Sequence, residues 1–396
     1  MFLGASVVAQ GWSAYFSAFL SKLGVVLPPE FSYSEHRIID VPAIVLVLVL
    51  GFLVTLGIKE SMRVNLVLVA LKLFIVLFVI IAGIFFINPA NYSPFVPEAA
   101  ATTATGVQWA TQPLLQFLTG AAPTTFGIGG VLAGAALVFF AFIGFDVVAT
   151  TAEETRNPQR DLPIGIIASL AICTVLYCAV ALVVTGMVPY DKLDPSAALA
   201  NAFAFHGQAW MATLISAGAV AGLTTVVLTL MVGATRLIFA MCRDALLPMS
   251  LAKVHPKYRT PWLITVIVTV VVAITAGLTP VGVLEEMVNI GTLSAFVLVS
   301  IGVVVLRKKR PDLKRSFTVP LSPWLPIVSA LICTYLMLNL SVETWLRFLI
   351  WLAFGFVIYF AYSRSHSRLE TGASIHPDML KAMEEGRVPA ETDDLR

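Results

Sequence analysis

Charge is scarce in this sequence. Asp, Glu, Lys and Arg make up only 12% of its 396 residues, about half of what a soluble domain carries. No soluble shape of this size has enough interior for a chain that is 58% hydrophobic. A water-soluble enzyme is excluded, and no nucleic-acid partner is expected. The net charge of +2 identifies no partner by itself. Cysteine is rare too: Cys173, Cys178, Cys242 and Cys333 form no CxxC or zinc spacing, and they read as small buried hydrophobes. The five histidines are scattered outside the apolar runs, so no metal is expected. "GIGG" at 127–130 lacks the Lys-Ser/Thr of a phosphate loop. With no triad or metal motif in view, neither a cofactor nor an enzymatic activity is predicted. The first residues have no basic region and no small-residue cleavage site, so they are not read as a signal peptide.

Long apolar runs are what the chain has in abundance. A crossing needs about 20 apolar residues in a helix, and helices are forced because lipid offers the backbone no hydrogen bonds. Ten runs qualify: 1–24, 40–57, 64–88, 128–150, 161–188, 210–242, 261–279, 286–307, 323–340 and 343–362. The fold class is therefore all-α, a polytopic membrane protein. Its transmembrane domain spans 1–362, and a charged tail follows at 363–396. Lys and Arg collect on alternate loops, among them Lys59 and Arg63, Arg156 and Arg160, Arg243 to Arg259, and Arg307 to Arg315. The intervening side holds Lys22, Arg37, Lys192 and Arg347, and the 89–127 loop has no cation. By the positive-inside rule, Met1 and the C-terminus are expected in the cytoplasm of a multi-pass cell-membrane protein.

Three runs carry polar or helix-weakening residues, which are costly in lipid and mark function. The first contains "FAFIGFDVVATTAEETRNPQRDLP" at 140–163. Gly144 weakens a helix by about 1 kcal/mol relative to Ala, and Asp146 follows at membrane depth. The pair predicts that the helix unwinds, baring peptide groups to a cavity as in broken-helix transporters. The alternative is a glycine packing notch with Asp146 hydrogen-bonded to a neighbouring helix. Asp146, Glu153 and Glu154 are candidate gate or helix-break groups, though the two glutamates equally suit a solvated helix end. Asn157-Pro158 is expected to end this helix, and Asp161 to cap the next. The second run holds Lys72, about two turns inside it. A buried lysine sheds its proton readily and suits proton coupling; the alternative is a stem that snorkels to the interface. The third, 210–242, has a GxxxG pair in Gly218 and Gly222, with Thr224, Thr225 and Thr229 near mid-depth. Hydrogen bonds to their own helix carbonyls are the competing reading of those hydroxyls.

The same residues carry a resemblance. "FFAFIGFDVVATTAEETRNPQRDLPIGII", "GIKESMRVN", "MCRDALLP", "KVHPKYRTP", "NIGTLSAF" and "SIGVVVLRKKRPDLKRSFTVP" resemble an amino acid permease of the amino acid–polyamine–organocation superfamily, nearest its cationic amino acid transporter branch. The resemblance implies a five-plus-five inverted-repeat fold, with about ten of twelve transmembrane helices present and the first two missing. It implies that Phe140 closes over substrate. Ile143 and Gly144 would offer backbone groups at the break, with carbonyls receiving the substrate ammonium, and Thr224 would approach the pocket. Lys72 would stand where proton-coupled members place a lysine. Ala234 departs from the branch, which often has Gln there.

The expected function is secondary active, proton-coupled amino acid transport by alternating access, in which no substrate bond is made or broken. Its partners are an amino acid, a proton and the bilayer. The alternatives are an N-terminally truncated, non-transporting fragment and a substrate-sensing receptor on the permease fold. Substrate identity and oligomeric state are not legible.

Overall fold

The computed structural model describes residues 1–34, 37–57, 62–101, 108–121, 124–145, 148, 157–258, 260–312 and 317–367. Ten long helices run through them: α1 Phe2–Lys22, α2 Val41–Thr55, α3 Met62–Gly83, α4 Gly127–Val138, α5 Pro158–Met187, α6 Ala209–Arg243, α7 Trp262–Leu278, α8 Val281–Lys309, α9 Trp324–Leu338 and α10 Val342–Ile358. Nine follow the predicted runs to within about five residues at each end. The exception is α4, whose regular part stops at Val138 instead of continuing to 150. Five described helices are long and apolar enough to cross a membrane, and four more are apolar but shorter, Val41–Thr55 among them. The protein is a polytopic helical membrane protein.

The helices show why so many apolar residues are present. Val175 on α5 is 68% exposed and Ile350 on α10 is 70% exposed. Surfaces of this kind belong against lipid. The cysteine reading needs correction here. All four are free, but Cys242 alone is buried, and Cys178 is exposed on α5. An exposed apolar face in lipid accepts a thiol as readily as a core does.

The chain divides into two compact units. The first comprises Met1–Ile75, Asp194–Thr279 and Trp351–Arg396. In it α1 packs on α6 and α7, and α2 on α7. The contacts are close because the residues are small: Ala5, Ala9, Ala43, Ala212 and Ala276 are fully buried. Gly51 of α2 meets Thr269 of α7 so tightly that an added Cβ would stand 2.2 Å from the threonine Oγ1. Small residues let backbones approach in this way. Asp40 starts α2 as its N-cap, accepting from the Ala43 amide at 3.1 Å, with Pro42 in the first turn. Ser363, placed by the sequence at the start of the tail, is buried and donates to the Leu246 carbonyl at 2.7 Å. Residues 368–396 lie outside the described residues.

The second unit comprises Val76–Leu193 and Pro280–Ile350. Its core joins Ala136 of α4 to Ile290 and Leu293 of α8, Met337 of α9, and Leu340. The loop rich in Ala, Thr and Pro is folded in part: Ala100–Ala101 pair antiparallel with Thr124–Thr125, and Leu114–Thr119 forms a short helix. Tyr92 fills the notch at Gly186 and donates to the Leu182 carbonyl at 2.7 Å. Helix α5 starts three residues before the expected position. Its N-cap is Asn157 and Pro158 opens the first turn, so Asp161 lies inside the helix. Proline at the first helical position gives up an amide that would be unpaired anyway, which makes the Asn-Pro pair a start as much as a stop.

Candidate functional site

The predicted break is present in the second unit. Helix α4 ends at Val138 and tightens to a 3-10 turn over Phe139–Phe142. Ile143 then turns extended, with ψ 132°. Gly144 follows at φ +128°, a conformation that residues bearing a Cβ rarely adopt. An added Cβ there would meet nothing within 4 Å, so backbone conformation, not crowding, calls for glycine.

A broken helix leaves carbonyls that its own amides no longer reach, and in lipid these need other donors. Asn289 of α8, fully buried, sends its Nδ2 to the carbonyls of Ala136 and Leu137 at 3.0 and 3.1 Å. Its Oδ1 has no partner among the described residues. The Tyr177 hydroxyl of α5 donates to the Ala141 carbonyl at 2.9 Å. The Ile143 amide donates to the Phe140 carbonyl at 3.0 Å. Rings fix the flanks. Phe296 of α8 stacks on Phe145 at 5.2 Å and meets Phe139 edge-on at 6.1 Å, one ring on each side of the break. Phe142 meets Tyr177 at 5.3 Å. Phe140, Ile143 and Gly144 thus share one irregular turn and are each half-buried. Asp146, Glu153 and Glu154 lie outside the described residues.

Lys72 and Thr224 belong to the first unit. Lys72 is half-buried on α3, and its stem runs past Gly222 of α6, where an added Cβ would stand 3.2 Å from the lysine Cγ. Gly218, one turn away, receives Ile75 in the same manner at 2.6 Å. The GxxxG pair is therefore the seat of α3. Thr224, two residues beyond Gly222, is bonded elsewhere. Its Oγ1 donates to the Val220 carbonyl at 2.7 Å and accepts from the Trp12 indole of α1 at 2.9 Å. Thr225 and Thr229 also return their protons to their own helix, at 2.8 Å each. The backbone-bonded reading of these hydroxyls describes their geometry.

The same unit holds a polar cluster that the sequence reading passed over. Arg37 donates to Gln10 Oε1 at 3.1 Å, to the Thr279 carbonyl at 2.8 Å and to Asp40 at 3.4 Å. Gln10 donates to the carbonyls of Ala276 and Thr279 at 2.7 and 2.8 Å. Ser13 donates to Asp40 Oδ1 at 2.6 Å. The network ties the middle of α1 to the start of α2 and the end of α7. One signal was available: Gln10 and Ser13 interrupt an apolar run in which polar groups need partners. Asn289 and Phe296 were visible too, as the two ends of "NIGTLSAF".

An irregular, side-chain-braced helix break among apolar helices is a device that membrane transporters use. The particular family follows from comparison. A family model for amino acid permeases matches residues 2–362. The chain is 45% identical to the branched-chain amino acid permease BcaP of Bacillus subtilis, an alignment covering 93% of this chain and 74% of that protein. It is 44% identical, over the same shares, to the methylthioribose transporter of Bacillus subtilis. It is 28% identical to the vacuolar cationic amino acid transporter 4 of Arabidopsis thaliana, over 94% of this chain and 78% of that protein. The chain belongs to the amino acid permease family.

Proposed function

We propose that this permease moves a neutral amino acid with an apolar side chain across the cell membrane, coupled to a proton, by alternating access. The observation that carries the reading is the opened turn at Ile143 and Gly144. Irregular backbone is tolerated at membrane depth where it lines a cavity, and transporters use such turns to hold the charged ends of small substrates. The side chains beside the turn, Phe139, Phe140, Phe142, Ile143 and Phe145, are apolar, which favours an apolar substrate side chain. Similarity to a branched-chain amino acid permease supports the same choice.

Lys72 is the proposed coupling residue. It is half-buried on α3 with its stem against Gly222 of α6, and lysine is a side chain able to carry or release a proton. Binding of proton and substrate would bias the carrier between its two facings. Met1 and the tail face the cytoplasm in this reading, because the basic loops collect there.

The test is uptake into proteoliposomes loaded with an imposed pH gradient, using leucine, isoleucine, valine, arginine, lysine and methylthioribose as substrates. Leucine-class uptake that rises with an inward proton gradient is expected. Lys72→Ala should abolish the gradient response in a protein that still elutes as a single folded species. Gradient-independent uptake by wild type, or an unchanged gradient response in Lys72→Ala, would refute the coupling. Binding without uptake would mark a receptor.

A further inference from the structure

Glu286 lies in the second turn of α8 and is half-buried. Its carboxylate accepts from the hydroxyls of Ser341 and Thr344, at the start of α10. Ser341 directly precedes α10, and its Oγ accepts from the Thr344 amide at 3.3 Å, which leaves the serine proton for the carboxylate. A carboxylate in this place also meets the positive end of the α10 dipole. The turn between α9 and α10 is itself held. The Leu114 amide donates to the Leu340 carbonyl at 2.9 Å, and the Val342 amide to the Gln112 carbonyl at 3.1 Å. The Trp345 indole donates to the Met337 carbonyl at 2.9 Å.

One face of α8 joins this anchor to the broken turn. Glu286, Asn289, Leu293 and Phe296 fall within about 80° of arc and span about 15 Å of the axis. Glu286 holds the start of α10. Asn289 holds the carbonyls of Ala136 and Leu137. Leu293 packs in the core with Ala136. Phe296 meets the rings of Phe139 and Phe145. Apolar contact is non-directional and resists sliding or rotation of a helix only weakly. A hydrogen bond has a fixed length and direction, so the Glu286 anchor sets where along α4, and at what angle, Asn289 and Phe296 arrive.

We infer that Glu286 is a positioning residue for transport: by anchoring α8 to the start of α10, it keeps Asn289 and Phe296 against the broken turn of α4 and sets the fraction of carriers whose turn is shaped for substrate. The inference rests on the reading that the turn at Ile143 and Gly144 holds the amino acid. Apparent affinity is the intrinsic affinity scaled by the competent fraction, so a loosened anchor raises KM. A folding fault alone removes carriers instead, and lowers the maximal rate at constant KM.

The test uses three variants and two readouts. Glu286→Leu removes the acceptor. Ser341→Ala combined with Thr344→Val removes the donors and leaves Glu286 in place. Glu286→Gln keeps an acceptor oxygen. The readouts are leucine uptake into proteoliposomes over a concentration series, and hydrogen exchange in nanodiscs without substrate. Exchange is followed over 136–145, with Val41–Thr55 of the first unit as the control. Glu286→Leu and the hydroxyl-free variant should each raise KM about fivefold or more, and exchange over 136–145 by a similar factor, with the control unchanged. Glu286→Gln should stay within about twofold of wild type, because its amide oxygen still accepts. In an Asn289→Leu background Glu286→Leu should add less than it does alone, since the two act along one route. A lowered maximal rate at unchanged KM, unchanged exchange over 136–145, or full additivity with Asn289→Leu would overturn the proposal. If Glu286→Leu fails to fold, the hydroxyl-free variant decides. Exchange needs no substrate, so the two readings fail separately: raised exchange in the variants beside a wild type that takes up no leucine upholds the anchor and refutes leucine-class transport.

Discussion

The side-chain amide of Asn289 lies 3.0 Å from the carbonyl of Ala136, one to two turns before α4 breaks. A residue of α8 therefore supplies the donor that α4 has stopped supplying to itself. Replacing Asn289 with Leu leaves the buried Ala136 carbonyl short of a donor, at about 1–3 kcal/mol. We expect a lower melting temperature in detergent and slower uptake. Asn289→Asp, which loses the donor at constant size, should do the same, and a melting temperature equal to wild type in both would contradict the brace.

Gly144 is strained for any other residue but uncrowded. Gly144→Ala should therefore cost about 1–3 kcal/mol through backbone conformation alone. The protein should still fold, with the loss concentrated in the rate of uptake. Circular dichroism and initial uptake rates measured on one preparation separate the two effects; equal losses in both would argue against a local cause.

The two glycines of α6 should differ. A methyl at Gly218 would come within 2.6 Å of Ile75 Cγ1, whereas at Gly222 it would stand 3.2 Å from the flexible stem of Lys72. Overpacking costs about 1–3 kcal/mol where neighbours cannot yield. Gly218→Ala should lower the melting temperature more than Gly222→Ala, and the reverse order would show that α3 is seated otherwise.

Arg37 and Asp40 form a partly buried ion pair, with Arg37 12% exposed and Asp40 fully buried. Removing the arginine leaves a buried carboxylate without its cation, which costs roughly 3–5 kcal/mol. Arg37→Met should destabilise severely. Arg37→Met combined with Asp40→Asn should recover part of the loss, and a double-mutant cycle with no coupling would dismiss the pair as incidental.

The positions of nine helices were legible because lipid leaves the chain few options: an apolar run of adequate length must be helical. The break in α4 was legible through Gly144, the one residue type suited to its backbone. What held the break was legible only in part: Asn289 and Phe296 stand at the two ends of "NIGTLSAF", but Tyr177 is unremarkable in an apolar run, and partners far apart in the chain meet only through packing. Trp12 offers a second case, since nothing in its neighbourhood announces a hydrogen bond to Thr224, 212 residues away. The Gln10 cluster was half legible, for a lone glutamine in a membrane helix demands company without saying whose. The start of α5 was misjudged because Asn-Pro serves both to end a helix and to begin one.

Gly51 carries a consequence for motion. With no room for even a methyl group between α2 and α7, sliding or rotating one past the other would drive main chain into Thr269. As the carrier turns from one side of the membrane to the other, we expect these two helices to make the journey as a single stiff plank.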